Sequence, residues 1–184
     1  ICDGKYNLKG LPAVYAAEEE AQTLIIYMKD QVTGLQVELL YGVLPEYDVI
    51  TRSAKVINTE EDKIRLTKAQ AACIDFLHGE FDVISFYGRH AMERNMQRTS
   101  VGHGAFVIGS RRGTSSHQYN PMMILAEKET TEDAGTCYGM SFVYSGGFKA
   151  EVEKDQFGQT RMQMGLQEEQ FSYPLKKGEE FVIP

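Results

Sequence analysis

Leu35-Gln36-Val37-Glu38-Leu39-Leu40-Tyr41-Gly42-Val43 sets Leu35, Val37, Leu39, Tyr41 and Val43 against Gln36, Glu38 and Leu40. A period of two marks a strand with one face buried, because successive side chains of an extended chain point to opposite sides. The pattern resumes beyond Leu44-Pro45-Glu46-Tyr47-Asp48, where Ile50, Ala54 and Val56 oppose Val49, Ser53 and Ile57. The same reading predicts strands over 23–29, 63–75, 81–88, 105–110, 122–126, 137–144, 148–153 and 160–165. Many of these are rich in the β-branched and aromatic residues that suit a pleated surface. Val32-Thr33-Gly34, Asn58-Thr59-Glu60-Glu61-Asp62 and Ser145-Gly146-Gly147 read as turns, and strands and turns alternate every 8–12 residues or so, as in all-β folds. Only Ala16–Gln22 and Ala91–Arg98 have helical potential. The fold class expected is therefore all-β: one domain over residues 1–184, a large antiparallel two-sheet sandwich with few short helices.

Composition narrows the partners. The 184 residues carry a net charge of −7, and no basic cluster is larger than a pair such as Arg111-Arg112, so neither nucleic acid nor an anionic membrane surface is expected as a partner. The longest apolar run, Thr23 to Met28, is far too short to span a bilayer. Three widely spaced cysteines, Cys2, Cys73 and Cys137, make neither a disulfide framework nor a zinc knuckle. They fit a reduced, cytoplasmic setting, with Cys73 and Cys137 expected as buried thiols. His78, His90, His103 and His117 have no metal-ligand spacing, and no phosphate loop, dinucleotide fingerprint or nucleophile elbow occurs, so no metal and no cofactor is expected.

Two polar runs are the candidates for a site. Arg111-Arg112-Gly113-Thr114-Ser115-Ser116-His117-Gln118-Tyr119-Asn120-Pro121 packs guanidiniums, hydroxyls, an imidazole and amides into eleven residues. That inventory suits a polyol, an interface, or a loop whose side chains satisfy its own backbone. Asp155-Gln156-Phe157-Gly158-Gln159-Thr160-Arg161 reads as a hairpin with glycine at the left-handed position and an Asp–Arg pair across it, or as an edge facing a partner. Arg111, Arg112, His117, Asn120, Asp155 and Arg161 are the candidate interdomain or sugar-facing residues. Arg89 to Asn95 is a third polar patch, in which Glu93 and Arg94 are candidates for an ion-pair network. Asp75, Asp82, Glu93 and Asp155 are the carboxylates to weigh as a glycosidase pair, but spacing along an all-β chain fixes no separation between them.

Leu11-Pro12-Ala13-Val14-Tyr15, Asp48-Val49-Ile50-Thr51-Arg52-Ser53, the run from Arg112 to Pro121, Val143-Tyr144-Ser145-Gly146 and the run from Asp155 to Arg161 occur in that order. Together they resemble the N-terminal domain of bacterial α-galactosidases of glycoside hydrolase family 36, over nearly the whole chain. The resemblance implies a β-supersandwich similar to galactose mutarotases, standing before a catalytic (β/α)8 barrel. It implies a retaining enzyme that removes terminal α-1,6-linked galactose from melibiose or raffinose-type sugars, with both catalytic aspartates in the barrel. No catalytic residue is then expected in this fragment, and the expected partners are the barrel, neighbouring subunits of a homo-oligomer and galactosides handled by the whole enzyme. The chain departs from the family's pattern at Arg89-His90, where tryptophan is usual, and at Gln170-Phe171-Ser172-Tyr173 in place of Asp-Phe-Ser-Trp. The alternatives are a stand-alone carbohydrate-binding module, which the absence of tryptophan disfavours, and a mutarotase-like epimerase, which needs a His and a Glu on one concave face.

Overall fold

The computed structural model describes residues 1–12 and 16–184. The Ala13-Val14-Tyr15 part of the first motif lies outside the described residues. In chain order the strands are β1 (Cys2–Asp3), β2 (Gln22–Lys29), β3 (Leu35–Leu44), β4 (Val49–Asn58), β5 (Ile64–Leu66), β6 (Ala72–Phe76), β7 (Phe81–Arg89), β8 (Met92–Ser100), β9 (Gly104–Gly109), β10 (Tyr119–Glu127), β11 (Cys137–Ser141), β12 (Phe148–Lys154), β13 (Thr160–Leu166), β14 (Tyr173–Leu175) and β15 (Glu180–Ile183). Every ladder between these strands is antiparallel, and the described helix is one short 3-10 turn, Pro45–Tyr47. The all-β expectation holds. The chain divides into two compact units, one of residues 1–71 with 170–184 and one of residues 72–169.

In the first unit, β1-β2-β3-β4-β15 form a five-stranded sheet, and β14 pairs with β5. The β2–β3 turn is built by Asp30, whose carboxylate accepts the amides of Val32 at 3.2 Å and Thr33 at 3.1 Å. Gly34 sits there at φ +67°, where a Cβ would also strike the Glu60 side chain, so glycine suits the position. β3 and β4 pair over their full lengths, from Leu35↔Asn58 to Leu44↔Val49. One face of the sheet is partly covered by the chain's own start. Tyr6 donates its amide to Thr23 Oγ1 at 3.0 Å, Thr23 donates to Gly4 O at 2.8 Å, and the Lys5 stem lies across Gly42 and Thr51. Burial of that stem lowers the pKa of the Lys5 ammonium.

Asn58 is the polar centre of this unit. It is fully buried. Its amide donates to Asp62 O at 2.8 Å and to Leu175 O at 3.0 Å, and its carbonyl accepts from the Glu60 amide at 3.0 Å. Those three hydrogen bonds, one of them fully buried, are how one side chain ties β4, the turn after it and β14 together.

In the second unit, β11-β10-β7-β8 and β12-β13-β6 form two sheets. β9 lies alongside β12, with Ser110 N donating to Phe148 O at 2.9 Å and His103 Nδ1 meeting Asp155 O at 2.9 Å. Alternate residues supply the core: Phe81 and Val83 of β7, Met123 and Leu125 of β10, Phe148, Ala150 and Val152 of β12, and Met162 and Met164 of β13 are all buried. Asp82, on the other face of β7, accepts from Arg98 Nε at 2.8 Å, Ser100 Oγ at 3.0 Å and Lys128 Nζ. Arg98 also donates to Thr130 O at 2.6 Å and Lys128 O at 3.0 Å. The network pins the β10–β11 loop to β7 and β8. Burial alone would raise the Asp82 pKa, but the hydrogen bonds from Lys128, Arg98 and Ser100 outweigh it and hold the carboxyl below its ordinary value.

Four expectations need correction. Ala16–Gln22 is a single turn, closed by Glu20 Oε2 accepting the Ala17 amide at 2.7 Å, before the chain enters β2. Ala91–Arg98 is a hairpin and strand rather than a helix: Ala91 and Arg94 have φ of 62° and 55°, and β8 pairs along β7. The stretch 63–75 is two strands, β5 and β6, split between the units. Cys73 and Cys137 are exposed. Both lie on sheet-edge strands; Cys73 faces Gln163 on the outward side of β13, and Cys137 sits opposite Ala126 at the end of its ladder.

Two outcomes follow from these networks. Asn58→Ala removes three hydrogen bonds, one of them to the carbonyl of fully buried Leu175, and should cost about 1–3 kcal/mol in urea unfolding, whereas Gln31→Ala in the exposed turn should be silent. Because the folded pKa of Asp82 is depressed, its stabilisation is present above the unfolded value of about 4 and is lost as pH falls through the folded one. The urea midpoint should therefore drop on acidification from pH 7 to pH 3, and Asp82→Asn should be less stable at pH 7 and flatten that drop.

Candidate functional site

The run from Arg111 to Pro121 is a loop followed by the first residues of β10. Most of its hydroxyls and amides serve its own backbone. Ser110 Oγ donates to Thr114 O at 2.6 Å and accepts the Arg112 amide at 3.3 Å. Thr114 Oγ1 and the Ser115 amide both donate to Ser145 O, at 3.0 and 2.8 Å, which joins the loop to the Ser145-Gly146-Gly147 reversal. Ser116 Oγ accepts the Gln118 amide at 3.3 Å. Gly113 makes its bend at φ +76°. Such local side-chain bonds are how Ser and Thr stabilise irregular backbone.

The charged and aromatic members of the run point elsewhere. Arg111 Nε pairs with Glu169 at 2.5 Å on an exposed surface. Arg112 and His117 are exposed, and Asn120 is half-buried. Asn120 lies where β10 shifts register against β7, between Tyr119↔Tyr87 and Met123↔Ser85. Pro121 next to it has no amide to give, and its carbonyl accepts from Phe142 N at 2.8 Å.

Asp155 and Arg161 do not pair with each other, contrary to the sequence reading. Asp155 Oδ1 accepts the amides of Phe157 at 2.8 Å and Gln159 at 2.9 Å, and Gly158 follows at φ +82°, so Asp155 is the cap of the β12–β13 turn. Arg161 stands opposite Asp75 in the β13–β6 ladder and holds it with two hydrogen bonds, Nε to Oδ1 at 2.7 Å and Nη2 to Oδ2 at 3.1 Å. The fork of the guanidinium matches the carboxylate there. The hydrogen bond lowers the Asp75 pKa and, seen from the other partner, raises that of Arg161. The outward face of this sheet continues as a charge ladder, with Lys149 Nζ between Glu151 at 2.8 Å and Glu168 at 2.6 Å.

In the third patch Glu93 Oε1 accepts the Ala91 amide at 2.9 Å, and Asn95 Nδ2 donates to Met92 O at 2.8 Å, so both carboxylate and amide shape the β7–β8 hairpin. The six candidate residues therefore fall into three places: Arg111, Arg112 and His117 on one loop, Asn120 in the irregular start of β10, and Asp155 with Arg161 at either side of the β12–β13 turn. Sequence reading missed the Asp82–Arg98–Lys128 network, because the three residues lie on separate elements and only the β7–β8 register brings two of them together. Among the described residues no group of three or more His, Cys, Asp or Glu converges as a metal site. No described helix is long and apolar enough to cross a membrane. An open pocket of about 630 Å³ is lined by Asp3, Glu18, Glu19 and Glu20 with Val43 and Pro45, and by none of the candidates.

Comparison with known proteins gives this geometry its setting. The sequence model of the glycosyl hydrolase family 36 N-terminal domain matches residues 1–176, across both units. The chain is 64% identical over 184 residues to the bifunctional α-galactosidase/sucrose kinase AgaSK of Mediterraneibacter gnavus, covering 100% of this chain and 20% of that protein. It is 44% identical over 185 residues to α-galactosidase Mel36A of Lactobacillus acidophilus, covering 100% of this chain and 25% of that protein. Among solved structures it superposes on the galactosidase domain of AgaSK with a TM-score of 0.96 at 63% identity, covering 100% of this chain and 26% of that one. It superposes on the family 36 α-galactosidase AgaA of Geobacillus stearothermophilus with a TM-score of 0.97 at 41% identity, again covering 100% and 26%. The chain thus spans a quarter or less of the length of these curated relatives. With the family's sequence model running from residue 1 to residue 176 and the backbone superposing throughout, this chain belongs to the glycosyl hydrolase family 36 N-terminal domain family.

Proposed function

We propose that residues 1–184 act as one non-catalytic domain of a retaining α-galactosidase that hydrolyses terminal α-1,6-galactosides of the melibiose and raffinose type. The chemistry then belongs to a (β/α)8 barrel outside these residues, and the domain's work is to support barrel packing and subunit assembly. Two things support the reading: the α-galactosidases that the chain resembles, and the way its carboxylates are used.

The second is the observation that carries it. A retaining glycosidase needs two carboxyls about 5 Å apart, one of them kept protonated near neutral pH by a raised pKa. Asp75 is held by Arg161 and Asp82 by Lys128, Arg98 and Ser100, and both are shifted downward, the wrong direction for a proton donor. Glu93 and Asp155 cap turns. All four candidates thus have structural work. On this reading Arg112 and His117, the exposed members of the polar loop, with Arg111, Asn120, Asp155 and Arg161, form polar edges offered to the barrel or to a neighbouring subunit.

In the full-length protein, Asp75→Asn, Asp82→Asn, Glu93→Gln and Asp155→Asn should each leave kcat on p-nitrophenyl α-galactoside within a few-fold, assayed well below the melting temperature. Loss of a true general acid lowers the rate by about 100-fold or more, so a fall of that size in any of the four would overturn the assignment.

A further inference from the structure

The β7–β8 hairpin closes on a thioether held by a cation. Arg89 and Met92 are the last cross-strand pair, with His90 and Ala91 as the two-residue turn between them. Directly paired residues put their side chains on one side of the ladder. There Arg89 Nη2 donates to Met92 Sδ at 3.1 Å. Among the described residues this is the only hydrogen bond or ion pair of the Arg89 side chain. The backbone beneath the pair is fixed. Ala91 turns at φ 62°, Glu93 Oε1 accepts the Ala91 amide at 2.9 Å, and Asn95 Nδ2 donates to Met92 O at 2.8 Å.

A neutral thioether is a weak acceptor, whereas a guanidinium makes its strong bonds to oxygen that carries negative charge. Addition of one oxygen atom to the sulfur would supply that acceptor in place, because a sulfoxide oxygen carries much of the negative end of the S–O dipole. The sulfur is also open to reagents. Met92 is 49% exposed, against 46% for Met28 and 59% for Met96, while Met123, Met140, Met162 and Met164 are buried. Exposure alone therefore ranks Met96 first. Neither Met28 nor Met96 has a donor on its sulfur among the described residues, so the guanidinium is what sets Met92 apart.

We infer that Met92 is a site of oxidation by hydroperoxides, with Arg89 stabilising the oxygen that is transferred. A thioether sulfur has two lone pairs, and the one not facing the guanidinium attacks hydrogen peroxide. The S–O bond forms as the O–O bond breaks, and hydroxide departs with the electron pair. Hydroxide then takes the proton from the S–OH group. Thioether and hydrogen peroxide thus become sulfoxide and water, with sulfur losing two electrons and the peroxide gaining them. Negative charge develops first on the departing hydroxide and then on the sulfoxide oxygen, both beside Arg89, and a preorganised donor at developing charge lowers the barrier. Oxidation of a buried methionine disrupts packing, but Met92 lies on an exposed hairpin where no core is lost, and its sulfoxide is of a kind that methionine sulfoxide reductases reverse. The inference goes beyond the glycosidase reading and does not depend on it.

The experiment treats the full-length protein with dilute hydrogen peroxide and follows sulfoxide at each methionine by peptide mass spectrometry. Met92 should oxidise about three-fold or more faster than Met96, the effect of one modest hydrogen bond on a rate. Arg89→Gln should abolish that lead while Met28 and Met96 keep their wild-type rates. Oxidation of Met92 no faster than that of Met96 in the wild-type protein overturns the inference, and so does a lead that persists in Arg89→Gln. The wild-type ratio decides by itself if the variant folds poorly. Hydrolysis of p-nitrophenyl α-galactoside by the untreated protein reports separately on the functional reading.

Discussion

Register between β3 and β4 is the constraint on which the first unit depends. With side chains alternating every residue, sliding one strand by a single position would turn Ala54 and Val56 to the polar face and bring Ser53 and Lys55 inward. The full-length pairing, the Asp30-capped turn and the glycine at position 34 all hold that register. So does the ion pair of Lys55 with Glu38 at 2.8 Å, which are direct cross-strand partners. Those side chains raise the Lys55 pKa, the hydrogen bond with Glu38 first among the causes, which is the electrostatic counterpart of correct alignment.

The second unit solves the same problem with a different balance. Its core is rich in methionine, with Met123, Met140, Met162 and Met164 buried beside Phe81 and Phe148. Methionine adapts to irregular gaps and packs well against rings, which suits a sheet whose β7 and β10 strands both shift register. Where packing is adaptable, the polar networks provide the definition: Asp82 with Arg98 and Lys128 on one sheet, Asp75 with Arg161 on the other.

Fold class and the places of most longer strands were legible because alternation survives in most segments, and half-buried strands announce themselves by period. The failures have physical causes. Ala91–Arg98 contains good helix formers, but β8 is exposed along most of its length, so no apolar alternation marked it and ladder pairing with β7 overrode local propensity. Cys73 and Cys137 sit in apolar-looking strings, yet edge position leaves them open. The polar runs were found, but their composition alone could not separate side chains that satisfy nearby backbone from side chains that face outward. Ser115, Ser116 and Asp155 proved to be of the first kind, Arg112 and His117 of the second. The pairing of Arg161 with Asp75, 86 residues apart in sequence, is beyond any local pattern.

The two-part make-up of the first unit has a consequence for synthesis. Its sheet is begun by β1–β4 and joined by β15, with the whole of residues 72–169 inserted between. Closing a loop of roughly a hundred residues adds little entropy beyond a loop half as long, so the excursion is thermodynamically tolerable. On the ribosome it imposes an order. The inserted unit emerges while the earlier sheet still waits for β15, so β15 can join that sheet only after residues 72–169 have been made.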